Sequence, residues 1–351
     1  MTRLSNATLA QVPAALRPRR DTGVDAVGIV HFGPGAFHRA HQADYVDRVL
    51  DHDPRWGIAA VSLRTRGTID ALAAQDGLYT LAIRDAASSM RVVAAHRRFL
   101  GPDDAAQTHR LLADPAVGLV TTTVTEKGYC LAADGTLDLD HADIVHDLAH
   151  GDVPRSVVGW IVAGLAARRT AGVEPFVPLP CDNLASNGAK LHAALVAFAG
   201  QRDGALADWI AGEVRVPSTM VDSITPASDE GLYADVASAL AVEDRAAVQR
   251  EAFTQWVIED VGRPIGPDLA AAGAIVTDDV AGYEKAKLRI LNGAHSTLAY
   301  AGLLRGHASV AEAMRDEPLA AFVDSMIKHD IMPMLPPVRG LDLDSYRAAV
   351  L

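Results

Sequence analysis

The sequence predicts an α/β protein: a doubly wound parallel sheet followed by an all-helical C-terminal domain. Three observations carry that prediction. Short apolar runs alternate with helical periodicity through the N-terminal half, a glycine turn joins the first strand to the first helix, and strand signals cease from about Asp278 onward. Apolar strands alternating with helices imply a parallel sheet covered on both faces.

The elements follow in order. Val27-Gly28-Ile29-Val30-His31-Phe32 is a short apolar strand that stops at Gly33-Pro34-Gly35, and residues 36–50 continue with helical periodicity. Residues 56–63 read as a second buried strand, and 117–124, rich in β-branched residues, as a later one. Residues 156–169 are helical in pattern, 175–179 strand-like and 188–199 helical again. Beyond Asp278 only helices are expected, over 283–305 and 310–329.

Composition bounds the function. The chain has 351 residues, 49% hydrophobic and 22% charged, the balance of a soluble protein with two domains. A formal charge of −12 argues against nucleic acid as a partner. The two cysteines, Cys130 and Cys181, make no disulfide framework and suit a reducing, cytoplasmic compartment. No apolar stretch reaches membrane-spanning length, and residues 1–20 lack a signal-type apolar core.

The run Tyr283-Glu284-Lys285-Ala286-Lys287-Leu288-Arg289-Ile290-Leu291-Asn292-Gly293-Ala294-His295 carries the strongest chemical signal. On a straight helix, with Lys287 at the origin, Glu284 falls at about 60°, His295 at about 80° and Asn292 at about 140°. Leu288 and Leu291 share that face, so the lysine is expected to lose hydration and act as a base near neutral pH. Asn292 and His295 are then placed to hold an oxygen whose charge changes, which points to alcohol–carbonyl chemistry. The plain alternative for these residues is a solvated helix face.

Gly33-x-Gly35, where a strand feeds a helix, is the second signature. It is the arrangement that lets backbone N–H groups approach a pyrophosphate, which makes Gly33, Gly35, Ala36 and Phe37 candidates for a Rossmann-type dinucleotide site, with a plain tight turn as the equal alternative. The usual third glycine position is His38. No ribose-binding acid ends the second strand, which reads Val61-Ser62-Leu63-Arg64-Thr65-Arg66, so Arg64 leaves room for a 2′-phosphate and NAD is not separated from NADP. The pairs His38/His41 and His146/His150 have helical zinc-ligand spacing without a third ligand, and a metal hydrolase using His38 and His41 stands as a remote reading. Cys181 is expected to be a packed thiol.

Further segments bring a resemblance into view. These are Gly33-Pro34-Gly35-Ala36-Phe37-His38-Arg39-Ala40-His41-Gln42, Thr125-Glu126-Lys127-Gly128-Tyr129 and Pro180-Cys181-Asp182-Asn183-Leu184. Met220-Val221-Asp222-Ser223-Ile224-Thr225-Pro226 and Gln255-Trp256-Val257-Ile258-Glu259-Asp260 follow, and then the lysine helix. The ordered set resembles the mannitol dehydrogenase family of polyol-specific long-chain dehydrogenases, which includes fructuronate and tagaturonate reductases. The resemblance implies a dinucleotide-binding domain over 1–278 and a helical substrate and catalytic domain over 279–351. It implies Lys287 as general base, Asn183 and Asn292 as hydrogen-bond donors to the alkoxide, His295 as a substrate-orienting group, Glu284 as a proton conduit and Asp222 as a substrate-site acid. Glu126 and Lys127 fall in a segment assigned to the cofactor.

The expected activity is zinc-independent, NAD(P)-dependent interconversion of a secondary alcohol and a ketone on a sugar alcohol or hexuronate. The expected assembly is a monomer or small homo-oligomer. Two departures are noted. Val221-Asp222-Ser223 stands where the family has Val-Asp-Arg, and the chain is expected to lack a C-terminal segment with Arg-Phe-x-Asn and Asp-Gly-Ser-x-Lys stretches. That absence leaves a catalytically impaired nucleotide-binding remnant as the alternative.

Overall fold

The computed structural model describes residues 1–18, 20, 22–85 and 88–351. The chain divides into two compact units, Met1–Val276 and Thr277–Leu351. The first is built on a five-stranded sheet. Across its width the strands run His96–Leu100, Ile58–Val61, Ile29–Phe32, Leu119–Thr122 and Val177–Pro180. Every neighbouring pair is parallel. In order of appearance this is 3-2-1-4-5, the doubly wound order expected, so the strand order reverses beside Ile29–Phe32. All four residues of that strand are buried, as they are in Ile58–Val61 and Leu119–Thr122, which is why these segments read as unbroken apolar runs.

One face of the sheet packs against helices Val157–Ala171 and Asn187–Gly200, with Trp160, Ile161, Leu165, Leu195 and Phe198 in the core. The other face meets helix Gln42–Val49 and Trp256. Two smaller three-stranded sheets accompany the main one. Tyr79–Ile83 pairs with Ser89–Val93 and Val248–Arg250, while Thr219–Asp222 pairs antiparallel with Gln255–Glu259, next to Ile275–Thr277.

Several local expectations need correction. The single helix expected over 36–50 is two, Ala36–Ala40 and Gln42–Val49, broken at His41 (φ −119°, ψ −89°). Tertiary bonds override periodicity there: His41 Nε2 meets the Gln255 carbonyl at 2.9 Å and its Nδ1 meets the Gln42 amide at 2.9 Å. The polar helix Ala142–Ala149 buries Asp147, which accepts from the N–H groups of Arg155 (2.7 Å) and Ser156 (2.8 Å). Helix Gln42–Val49 is pinned to the sheet of Ser89–Val93 and Val248–Arg250 by Asp44, which accepts from Arg91 and Arg250 as well as from Arg48 of its own helix.

The second unit is helical. Helix Val280–Lys287 is N-capped by Asp279, whose Oδ1 accepts from Gly282 N–H at 2.9 Å. A π turn over Leu288–Asn292 leads into helix Gly293–Leu304. Residues 310–329 form not one helix but two, Val310–Arg315 and Glu317–Met326, followed by a π turn over Ile327–Ile331. Asp316 makes the break: it caps the second helix, whose proline cannot continue the first, and it holds Arg305 (2.6 Å) and His307 (2.9 Å).

Three buried histidines lie against the sheet. His31 bonds Thr121 Oγ1 (2.7 Å) and Thr123 Oγ1 (3.0 Å), its ring stacks on His38 at 3.4 Å, and His38 Nε2 meets His96 Nε2 at 3.0 Å. Burial pushes His31 down to about 3 and holds His38 and His96 well below the usual imidazole range. The native rings stay neutral at pH values where an unfolded chain, titrating near about 6.5, takes up protons. Stability is therefore complete above about pH 6.5 and falls as the pH drops from there toward 3, by up to roughly 1.4 kcal/mol per ring per pH unit. Urea unfolding at pH 5 should show a clearly lower midpoint than at pH 7.5; equal midpoints would contradict neutral burial.

Candidate active site

The glycine turn forms because two strand ends leave no room for a side chain. Gly33 has φ +92°, and a Cβ there would lie 2.3 Å from the Thr123 carbonyl oxygen. Its own carbonyl accepts from Thr123 Oγ1 at 2.7 Å. Gly35 N–H closes the turn on the Gly33 carbonyl at 2.7 Å, and Arg39 N–H then begins the helical bonding to Gly35 at 3.2 Å. A Cβ at Gly35 would meet nothing nearer than the Gly33 oxygen at 3.9 Å, so this backbone faces open space.

On the Gly33 side of the turn lies a cleft of about 250 Å³ at the C-terminal ends of the central strands. Its walls are Gly33, Ser62–Arg64, Thr123–Thr125, Gly128, Asp143 and Arg155–Val157. It sits where the strand order reverses, the position at which doubly wound sheets bind ligands. Exposed glycine backbone, a strand-end location and open walls fit a dinucleotide. A larger cavity of about 340 Å³ lies within the 258–276 segment. Gly266 in that segment approaches Trp56, which covers Gly28 and Gly118 at the opposite ends of the strands, so this cavity is remote from the glycine turn.

Of the expected cofactor residues, Gly33 and Arg64 line the cleft. Arg64 is ion-paired to Asp143 at 2.7 Å and is largely exposed. Ala36 and Phe37 occupy the first turn after Gly35, where Phe37 stacks on His41 at 5.1 Å. Glu126 and Lys127 are exposed on the 3₁₀ turn Glu126–Tyr129, whose Gly128 lines the cleft. The Thr123–Thr125 and Arg155–Val157 walls escaped the sequence reading; strand 117–124 was recognised, and its C-terminal end was the available pointer.

Asn183 is exposed on the turn after strand Val177–Pro180. Asn187 anchors this turn: its Nδ2 donates to the carbonyls of Asp182 (3.1 Å) and Thr219 (3.0 Å), while its Oδ1 accepts from Thr219 N–H (2.8 Å). The strand so tied, Thr219–Asp222, ends in Asp222, buried and opposite Gln255 in register.

In the helical unit, Glu284 and Lys287 lie on helix Val280–Lys287, Asn292 ends the π turn and His295 lies in the following helix. All four are half-buried. The straight-helix geometry needs correction, because the π turn between Lys287 and Asn292 breaks the 100° progression and re-aims everything after it. The apolar setting expected for the lysine is also thinner, since Leu291 is buried but Leu288 is 63% exposed.

The His38/His41 metal reading fails on direction. His38 is aimed at His96 and His41 at the Gln255 carbonyl, and the helix breaks between them. His146 and His150 stack on one another at 4.7 Å. Among the described residues, Cys130, His141 and Asp143 bring one donor atom each within 4.8 Å of one another. Burial and the nearby Asp143 push the Cys130 thiol up to about 12, which keeps it protonated. Cys181 is a buried thiol held well above its usual range by desolvation, as a packed cysteine should be.

Comparison with known proteins places this architecture. A model of the mannitol dehydrogenase Rossmann domain matches residues 27–267, and one of the mannitol dehydrogenase C-terminal domain matches 279–351. The chain is 36% identical to a polyol:NADP oxidoreductase of Gluconobacter oxydans, covering 99% of this chain and 74% of that protein. It is 38% identical to a D-mannonate oxidoreductase of Escherichia coli, covering 97% and 72%. The crystal structure of Pseudomonas fluorescens mannitol 2-dehydrogenase in ternary complex with NAD and D-mannitol superposes with TM-score 0.89 at 36% identity, covering 99% of this chain and 73% of that one.

The family match and these relatives make it an NAD(P)-dependent oxidoreductase. The chain belongs to the mannitol dehydrogenase family. The expected loss of the C-terminal segment is contradicted by the match of the family's C-terminal domain over 279–351. The chain spans 72–74% of the length of these relatives. No helix among the described residues is long and apolar enough to cross a membrane.

The two glycines should separate on substitution. Gly33→Ala forces a side chain into the left-handed region against a carbonyl and should cost about 2 kcal/mol or more in thermal or urea unfolding. Gly35→Ala should leave the melting temperature unchanged yet weaken NADH binding, followed by fluorescence titration, about tenfold. Unaltered NADH affinity in Gly35→Ala would contradict the placement of the pyrophosphate.

Proposed function

We propose that this protein interconverts a secondary alcohol and a ketone on a sugar alcohol or hexuronate, without zinc, using NAD. The observation that carries the reading is the co-occurrence of the switch-point cleft with Glu284, Lys287 and Asn292 on one π-interrupted helix of a family-matched C-terminal domain. Mannitol, mannonate and mixed-polyol activities among the relatives support the substrate class.

The bound nicotinamide supplies the hydride acceptor. Lys287 takes the hydroxyl proton as the carbon is oxidised and returns it when the ketone is reduced. Asn183 and Asn292 donate N–H bonds to the oxygen as charge grows on it, which stabilises the alkoxide more than the neutral alcohol. His295 orients the substrate, Glu284 exchanges the proton with solvent and Asp222 grips a hydroxyl. NAD is favoured over NADP because Arg64, the arginine that lines the cleft just past the second strand, is paired with Asp143. Free, buried thiols suit the cytoplasm.

Purified protein should reduce NAD with D-mannitol, D-mannonate or a related polyol, and Lys287→Ala should lower kcat by about 10²–10⁴-fold with little change in NADH affinity. A variant turning over at near the parental rate would remove Lys287 from the proton-transfer step.

A further inference from the structure

Behind the exposed Asn183 amide lies a buried acid that the reaction scheme does not use. Asp182 is 8% exposed. Its Oδ2 accepts from the Tyr129 hydroxyl in a short bond and from Thr122 Oγ1 at 3.3 Å, and its carboxylate also accepts from Val124 N–H. Thr122 Oγ1 and Tyr129 Oη lie 2.5 Å apart, so the three groups form one cluster. These partners come from different segments. Thr122 ends a central strand, Val124 is a wall of the dinucleotide cleft, and Tyr129 ends the turn whose Gly128 is another wall. Gly128 fits tightly, since a Cβ there would sit 2.8 Å from Val124 Cβ. The carboxylate of residue 182 thus ties the cleft wall to the turn presenting residue 183.

We propose that Asp182 is a positioning residue for Asn183 and the cleft wall: its carboxylate locks the two turns together, and protonation releases the lock. The inference rests on the reading of Asn183 as a donor to the alkoxide. The physical reason is the donor count. An ionised carboxylate accepts from the Tyr129 hydroxyl and Val124 N–H with charge-assisted strength, and from Thr122 when that hydroxyl's one proton is not given to Tyr129 Oη. A protonated one loses that charge-assisted strength: the hydroxyls of Tyr129 and Thr122 can turn to accept its proton, but the bond from Val124 N–H, which can only donate, weakens and the tie to the cleft wall loosens. Burial raises the Asp182 carboxyl to about 7, opposed by the bonds from Tyr129, Thr122 and Val124, so the switch falls within the working range of pH. The ionisable groups facing it are Tyr129 and Glu126 from the neighbouring turn and Cys181 beside it in the chain.

Two readouts test this in the intact protein. The first is NADH affinity by fluorescence from pH 5.5 to 8.5. Wild type should weaken by roughly tenfold below pH 7, Asp182→Asn should show the weaker affinity at every pH, and Tyr129→Phe should move the transition to higher pH, because the ionised acid loses a donor. Lys287→Ala should keep the wild-type profile. The second is ketone reduction, in which Lys287 must be protonated and so imposes only an alkaline loss. An acid-side loss should appear in wild type, shift upward in Tyr129→Phe and vanish in Asp182→Asn, together with a kcat lowered about tenfold at pH 8. A pH-independent wild-type affinity, or an acid limb unchanged in both variants, overturns the proposal. Absence of turnover in wild type with the affinity profile as expected would instead remove the role given to Asn183 and leave the lock on the cleft wall standing.

Discussion

The close approach of Gly33 to Thr123 is the constraint on which the rest of the structure depends. Two adjacent parallel strands end together, and the first must turn at once into a helix without covering its neighbour's exit. Only a residue without a side chain satisfies the backbone angle and the 2.3 Å clearance to the Thr123 carbonyl. The turn is then held from both sides, by Thr123 Oγ1 at 2.7 Å and by His31 Nε2 at 3.2 Å on the Gly33 carbonyl. The cleft follows at this reversal of strand order, with Thr123–Thr125 as its next wall.

Around this constraint the protein sorts its ionisable groups by environment. Behind the turn, His31, His38 and His96 are dry and neutral, a packed layer with the shape of aromatic residues and hydrogen bonds for only some of their nitrogens. On the next helix, Asp44 is equally buried but stays ionised because three guanidinium groups meet it. Behind the cleft wall, Asp182 has hydroxyl and amide donors in place of a cation, and is therefore poised between the two states. Burial is similar in all three places; what differs is the partner.

Much of this was legible in the sequence. Central strands that are buried on both faces must be apolar throughout, so residues 27–32, 56–63, 117–124 and 175–179 announced themselves, and the glycine pair pointed to the turn where Gly33 lines the candidate cleft. The smaller sheets were not legible. Tyr79–Ile83 and Ser89–Val93 hold a threonine, an arginine and a serine, and their pairing with distant Val248–Arg250 leaves no local signal. Helix breaks were missed where they depend on tertiary partners, as at His41, or on a backbone register change that leaves composition untouched, as in the π turn at Leu288–Asn292. Among functional candidates, residue types gave Lys287, Asn292 and Glu284. The cluster of Asp182, Tyr129 and Thr122 was hidden, because its members are far apart in sequence and only the sheet brings them together.

Hydride transfer from a polyol carbon is the central chemical claim, and isotope transfer reaches it most directly. D-Mannitol deuterated at C2 and C5, incubated with this protein and NAD, should yield NADH carrying deuterium at the nicotinamide C4, with a rate slowed by the heavier isotope. NADH formed without deuterium, or no transfer from any polyol or hexuronate tried under conditions where NADH binds, would contradict the account.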